Sequence, residues 1–170
     1  MTSTFGSDDL DVLRNRTFDE IGVGDRASIE RTLTATDIQL FAAMSGDINP
    51  QHIDPQFAES TRFHGVIAHG MWGAALISAV LGTRLPGPGT LYAGQTLNFH
   101  EPVRVGDTLT VSVVVAERDP AKHQLVLDCL LHEAARQDRH LGPGDGDRPY
   151  FVEALARGVA KLARRSIRTR

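Results

Sequence analysis

The run from Met71 to Leu81, Met-Trp-Gly-Ala-Ala-Leu-Ile-Ser-Ala-Val-Leu, is apolar on nearly every helical face, with Ser78 its one polar side chain. A helix of this composition has no solvent face, so the spacing predicts one that is buried all round. At about 1.5 Å per residue it falls short of a bilayer, and its cover has to be protein. The chain downstream supplies that cover. Leu91, Ala93, Leu97 and Phe99 alternate, then Leu109, Val111, Val113 and Val115, then Leu125, Leu127, Cys129 and Leu131. Turn signals at Val105-Gly106-Asp107 and Asp119-Pro120 divide these runs, which predicts three successive antiparallel strands. The expected fold class is α+β, one antiparallel sheet wrapped around a buried central helix.

Ahead of that helix, residues 1–16 show no sustained period and read as a loosely ordered leader. Ala27 to Thr34 alternates as a strand, and Thr36 with Gln39 has capping-box spacing, so a helix is expected from there to Ser45-Gly46. The stretch from Gly46 to Asp54 is crowded with turn formers and reads as a structured loop. Asp54-Pro55 then opens a short helix. Residues 132–149 are polar and rich in Gly, Asp and Arg, a long loop, and a last strand is expected over Tyr150 to Ala160. The expected organisation is a single domain over residues 17–160, followed by a basic tail over 161–170.

Charge and cysteine usage exclude several functions. The formal charge is −3, but Lys161, Arg164, Arg165, Arg168 and Arg170 crowd the last ten residues, and removing them leaves −8. An acidic body argues against a nucleic-acid surface, which needs a basic stripe interleaved with aromatics. No segment has the length or pattern of a membrane span or targeting peptide, and the single Cys129 rules out an internal disulfide; a cytoplasmic protein is expected. No Gly-x-Ser-x-Gly elbow occurs, and Leu85-Pro-Gly-Pro-Gly89 lacks the Lys-Ser/Thr ending of a phosphate loop. His52, His64 and His69 with Asp47 or Asp54 do not share a helix face at metal-ligand spacing, so no metal is expected.

The candidate chemistry lies just before the apolar helix. Ala68-His69-Gly70-Met71 enters it, and the first N–H groups of a helix are unpartnered and sit at its positive end. Gly70 has no side chain to keep a ligand from that backbone. An oxygen acquiring negative charge, such as a thioester carbonyl becoming an enolate, would be stabilised there. Asp47 and His52, five apart across a turn, are the right types to hold a water and move its protons. Each residue also has a plainer role: Asp47 and Asn49 as turn formers, Asn49 as loop support, Asp54 as a helix cap, Trp72 as core before acyl-pocket lining.

Three segments carry a resemblance: Phe41-Ala-Ala-Met-Ser-Gly-Asp-Ile-Asn-Pro-Gln-His-Ile-Asp54, Ile67-Ala-His-Gly-Met71, and Leu85-Pro-Gly-Pro-Gly-Thr-Leu-Tyr-Ala-Gly-Gln-Thr-Leu-Asn-Phe99. In this order they closely resemble the MaoC-like, (R)-specific enoyl-CoA hydratases, over roughly residues 18–131. The resemblance implies a hot-dog fold, usually a homodimer, and syn addition of water to an acyl-CoA substrate without metal or redox cofactor. It puts the catalytic pair on Asp47 and His52, the carbonyl-holding amide on Gly70, and acyl-pocket positions on Ser78 and Leu81. Other readings of the same family are a dehydratase acting on acyl-carrier-protein thioesters, a hot-dog thioesterase, and a non-catalytic acyl-CoA-binding subunit. Arg62, Arg84 and Arg104 are candidates for the CoA phosphates by charge alone.

Overall fold

The computed structural model describes Leu13, residues 16–133 and, as backbone, the strands at 151–152 and 158–162. The elements run β1 (Arg26–Thr32), α1 (Ala35–Ser45), α2 (Pro50–Ile53), α3 (Pro55–Glu59), α4 (Gly70–Thr83), β2 (Thr90–Tyr92), β3 (Thr108–Asp119), β4 (Gln124–Glu133), β5 (Phe151–Val152) and β6 (Gly158–Leu162), after a 3-10 turn at Phe18–Glu20. Every strand pairing is antiparallel, in the order β1-β3-β4-β6-β2, and β5 joins β4 farther along the edge that carries β6.

The β3–β4 hairpin forms the floor of the core, for the reason its alternation implies. Val111 faces Leu131, Val113 faces Cys129 and Val115 faces Leu127, and all six are buried. Directly opposed residues share a face. Each of these side chains contributes roughly 1.5–3 kcal/mol of burial. A bulge between Val115 and Glu117 then shifts the register so that Arg118 opposes Leu125. Arg118 thereby reaches the N-terminal turn, where its guanidinium lies 4.4 Å over the Phe18 ring and donates to the Phe18 carbonyl at 2.8 Å.

Helix α4 packs across β3 and also touches β2 and β1. Trp72, Gly73, Ala74, Ile77, Val80 and Leu81 are buried. The helix is not buried all round, however. Met71, Ala75, Ser78 and Gly82 form an exposed stripe at helical spacing, because one sheet covers one side of a helix. The side chains at 75, 78 and 82 are small, so the uncovered stripe exposes little apolar surface beyond Met71.

Three local expectations are corrected. The cap of α1 is Thr34 rather than Thr36: its hydroxyl accepts from the Asp37 N–H at 3.1 Å and the Asp37 carboxylate accepts from the Thr34 N–H at 2.9 Å. The stretch after Gly46 contains one helical turn, α2, capped by Asn49 with Pro50 in its first position. The alternation from Leu91 to Phe99 becomes a strand only as far as Tyr92. Residues 93–100 have no ladder partner among the described residues, and alternation without a partner makes no strand. The expected last strand falls where β5 and β6 lie, with 153–157 outside the described residues, and β6 extends to Leu162. Most of the leader, residues 134–149 of the polar stretch, Tyr150 and 163–170 of the tail also lie outside them. No helix among the described residues is long and apolar enough to cross a membrane.

Candidate active site

Two capped turns in succession build the loop that carries Asp47 and His52. Helix α1 ends at Gly46, whose φ of 77° is the left-handed conformation that glycine adopts without strain. Asp47 follows as an exposed residue, its N–H donating to the Ser45 hydroxyl at 3.1 Å and its Oδ1 accepting from the Asn49 N–H at 3.2 Å. The Asn49 carboxamide in turn accepts from the Gln51 N–H at 3.0 Å, closing the cap of α2. The Gln51 side chain is buried and donates to the Gly65 carbonyl at 3.0 Å, which anchors the turn that presents His52.

The bond made by His52 assigns its tautomer. Nδ1 lies 2.8 Å from the Ile67 carbonyl oxygen. A carbonyl only accepts, so Nδ1 carries the hydrogen and the neutral ring keeps its free lone pair on Nε2. Ile67 is itself fixed by a bridge to Arg104, and the Ala68 N–H donates to Val103 at 2.8 Å. His69, buried at 2% exposure, donates through Nε2 to the main-chain oxygen of Asp47 at 2.9 Å. Ligand atoms of Asp47, His52 and His69 all lie within 4.8 Å of one another. Each imidazole spends one nitrogen on a main-chain carbonyl, which leaves the other nitrogen of each ring.

Gly70 opens α4 immediately after His69. The ring of Phe99 covers it closely, with three ring atoms 3.3 Å from where a Cβ would stand. His52, Gly70 and Phe99 line a cavity of about 340 Å³ that reaches Trp72, Leu109 and Leu131 in the core. Asp47 is outside the cavity lining, beside the histidine pair.

The structure thus brings Asp47, His52 and Gly70 to one end of α4, with Asn49 bracing the loop and Trp72 on the cavity wall. Ser78 and Leu81 do not line the cavity: Ser78 is on the exposed stripe and Leu81 is core at 1% exposure. Among the arginines, Arg62 lines the cavity with its guanidinium 4.7 Å over Phe63. Arg104 donates to the Phe63 carbonyl at 2.6 Å, and Arg84 is exposed at the far end of α4. Burial, with the Asp128 carboxylate adding to it, pushes the Cys129 thiol up to about 12, so it is no thiolate nucleophile at neutral pH. Sequence reasoning missed His69 and Phe99. A signal existed for His69: it stands at a helix cap, where Ser, Thr, Asp or Asn is usual.

The profile of the MaoC like domain family matches residues 18–129. The chain is 50% identical over 105 residues, 62% of its length and 73% of the relative's, to a protein of Rhodospirillum rubrum named (R)-specific enoyl-CoA hydratase. It is 47% identical over 120 residues, 71% of its length and 76% of the relative's, to a 3-hydroxybutyryl-CoA dehydratase of Methylorubrum extorquens. Among solved structures, the unliganded R-hydratase PhaJ1 from Pseudomonas aeruginosa superposes with a TM-score of 0.72 at 37% identity, over 87% of this chain and 86% of that one. An antiparallel sheet on a central helix is the hot-dog architecture of that R-hydratase, and the chain belongs to the MaoC-like domain family.

Proposed function

We propose that the protein catalyses the reversible addition of water to trans-2-enoyl-CoA, giving (3R)-hydroxyacyl-CoA. The substrate carbonyl docks on the Gly70 N–H, at the positive end of α4, with the acyl chain directed along the Trp72 wall of the cavity. A water held between the bare Nε2 of His52 and the Asp47 carboxylate attacks the β-carbon. As the new C–O bond forms, the π electrons move to the carbonyl oxygen as an enolate, which the Gly70 amide stabilises. The proton taken up by the pair returns to the α-carbon from the same face, which makes the addition syn. Written this way the reaction uses no metal and no redox cofactor. The same steps run backward are a dehydration, in keeping with the name of the Methylorubrum relative.

The single observation that supports this reading best is the Nδ1–H···O=C bond from His52 to Ile67, which leaves Nε2 as an acceptor beside a carboxylate. The test is loss of the conjugated thioester absorbance when pure protein meets crotonyl-CoA, with the chirality of the product determined. His52→Ala and Asp47→Asn are each expected to lower kcat/KM by about 10²–10⁴-fold, the range of a lost acid-base group. Wild type that leaves crotonyl-CoA, longer enoyl-CoAs and carrier-protein thioesters untouched would sink the proposal; release of free CoA thiol would favour a thioesterase.

A homodimer belongs to the same proposal. Leu40, Met44, Ile48, Ile53, Phe57 and Met71, which precede, follow or lie within the Asp47 loop in sequence, are 44–75% exposed, and a second copy would cover such large apolar side chains. The stretch 93–100, which has no ladder partner among the described residues, offers a second copy main-chain groups to bond. Light scattering that returns the monomer mass at micromolar concentration would refute it.

A further inference from the structure

His69 occupies the cap position of α4 and makes no side-chain bond to the helix. Its imidazole serves the neighbouring loop instead. Nε2–H donates to the Asp47 carbonyl at 2.9 Å. The ring centroid lies 4.0 Å from that of His52, the two planes tilted by 32°, and 5.0 Å from that of Phe41, tilted by 40°. Nδ1 is buried without a hydrogen-bond partner among the described residues. Leaving a polar atom so is costly, and it persists where the rest of the ring is held by other contacts.

The bond to Asp47 has no substitute. Among the described residues, every other hydrogen bond of Gly46, Asp47 and Ile48 is local, reaching no farther than the Ala42 carbonyl. These fix the internal shape of the loop, and among the described residues only the His69 hydrogen bond ties it to the entrance of α4. The same ring backs His52, whose other restraint is the Nδ1 bond to Ile67.

We infer that His69 is a positioning residue for the reaction proposed above: it sets the Asp47 loop through that loop's main-chain carbonyl and supports the His52 ring, holding carboxylate and imidazole at the separation a shared water requires. The inference rests on the hydration reading, and its test separates the two. His69→Phe keeps a ring and loses the donor, whereas His69→Gln keeps a donor where Nε2 stands and loses the ring.

On crotonyl-CoA, His69→Phe is expected to lower kcat by roughly 10- to 100-fold with KM within about threefold, the signature of displaced catalytic groups rather than lost substrate binding. His69→Gln is expected to recover part of that loss. Backbone amide NMR signals of residues 46–49, recorded without substrate, should move in His69→Phe and stay near wild type in His69→Gln. Near-UV circular dichroism checks the fold, and His69→Leu, which also lacks the donor, replaces the Phe variant if that one does not fold. Wild-type kcat in the donor-less variant, or unmoved amide signals, overturns the assignment. If the wild-type protein itself leaves crotonyl-CoA unchanged, the hydration reading fails and the amide signals alone judge whether His69 holds the loop.

Discussion

Replacing Gly70 by alanine separates what this position does for the fold from what it does for the reaction. Its backbone is not in the left-handed region, so a side chain meets no conformational strain, and at a helix start alanine gains at most about 1 kcal/mol over glycine. Against that gain, the new methyl would stand 3.3 Å from three carbons of the Phe99 ring, tight by a few tenths of an ångström. Phe99 is 48% exposed and lies in the 93–100 stretch, which no strand among the described residues restrains, so the ring can yield. The two effects offset to within about 1 kcal/mol, a shift in Tm of no more than about 4 °C for a domain of this size. The reaction does not share that tolerance. In the mechanism proposed above the methyl takes the space through which the carbonyl oxygen reaches the Gly70 N–H, and losing one such donor costs about 10²–10³-fold in kcat. The assays are a thermal melt and the crotonyl-CoA rate on the same preparation. A variant that melts like wild type and hydrates like wild type would refute the reasoning, because the carbonyl would then be held elsewhere.

Two further substitutions probe the fold that carries the site. Gly73→Ala, one turn into α4, points its Cβ at Leu131 Cδ2 from 3.0 Å, and Leu131, 1% exposed, has to give by a few tenths of an ångström within a packed core. Overpacking of this kind costs about 1–3 kcal/mol, so urea unfolding should show a lower midpoint, and an unchanged midpoint would mean β4 yields more readily than its burial implies. Asp37→Asn tests the cap of α1. Burial raises the Asp37 carboxyl, but bonds from the Thr34 hydroxyl, Arg31 and the Thr34 N–H together hold it below its ordinary 3.8. A depressed carboxyl stabilises the fold above its unfolded pKa and loses that contribution as pH falls through the folded one. The gap between wild type and Asp37→Asn, about 1 kcal/mol at neutral pH, should therefore close below about pH 4. Parallel urea titrations at pH 7 and pH 3 check it, and a gap independent of pH would exclude the charged cap.

What was legible in the sequence was local. The inward sets on β3 and β4 are the alternating residues read from the chain, because facing one core at a period of two leaves a mark on every second letter. Asp54-Pro55 was legible as a cap followed by a first-turn proline, and the same signal at Asn49-Pro50 was hidden by the turn formers around it. The bulge after Val115 and the early end of β2 were not legible, since both depend on what lies across the ladder. The exposed stripe on α4 escaped for a related reason: small and apolar residues look alike in a pattern whether or not a second surface reaches them.

The site shows the same division more sharply. Asp47, His52 and Gly70 are letters whose chemistry can be read, but the groups that orient them are the main-chain carbonyls of Ile67 and Asp47. A carbonyl is supplied by any residue, so nothing about the letters at 67 or 47 marks it as the partner of a histidine fifteen or twenty-two positions away. Only the histidines carry a trace of those bonds, and one trace was visible in principle: an imidazole where a helix expects a cap. That makes the cap position itself the sequence feature worth reading in chains of this kind, since a side chain that declines the helix's first N–H groups leaves them free for a ligand while it holds something else in place. In this chain the N–H groups left uncapped begin at Gly70, and the loop held in their place is the one that carries Asp47.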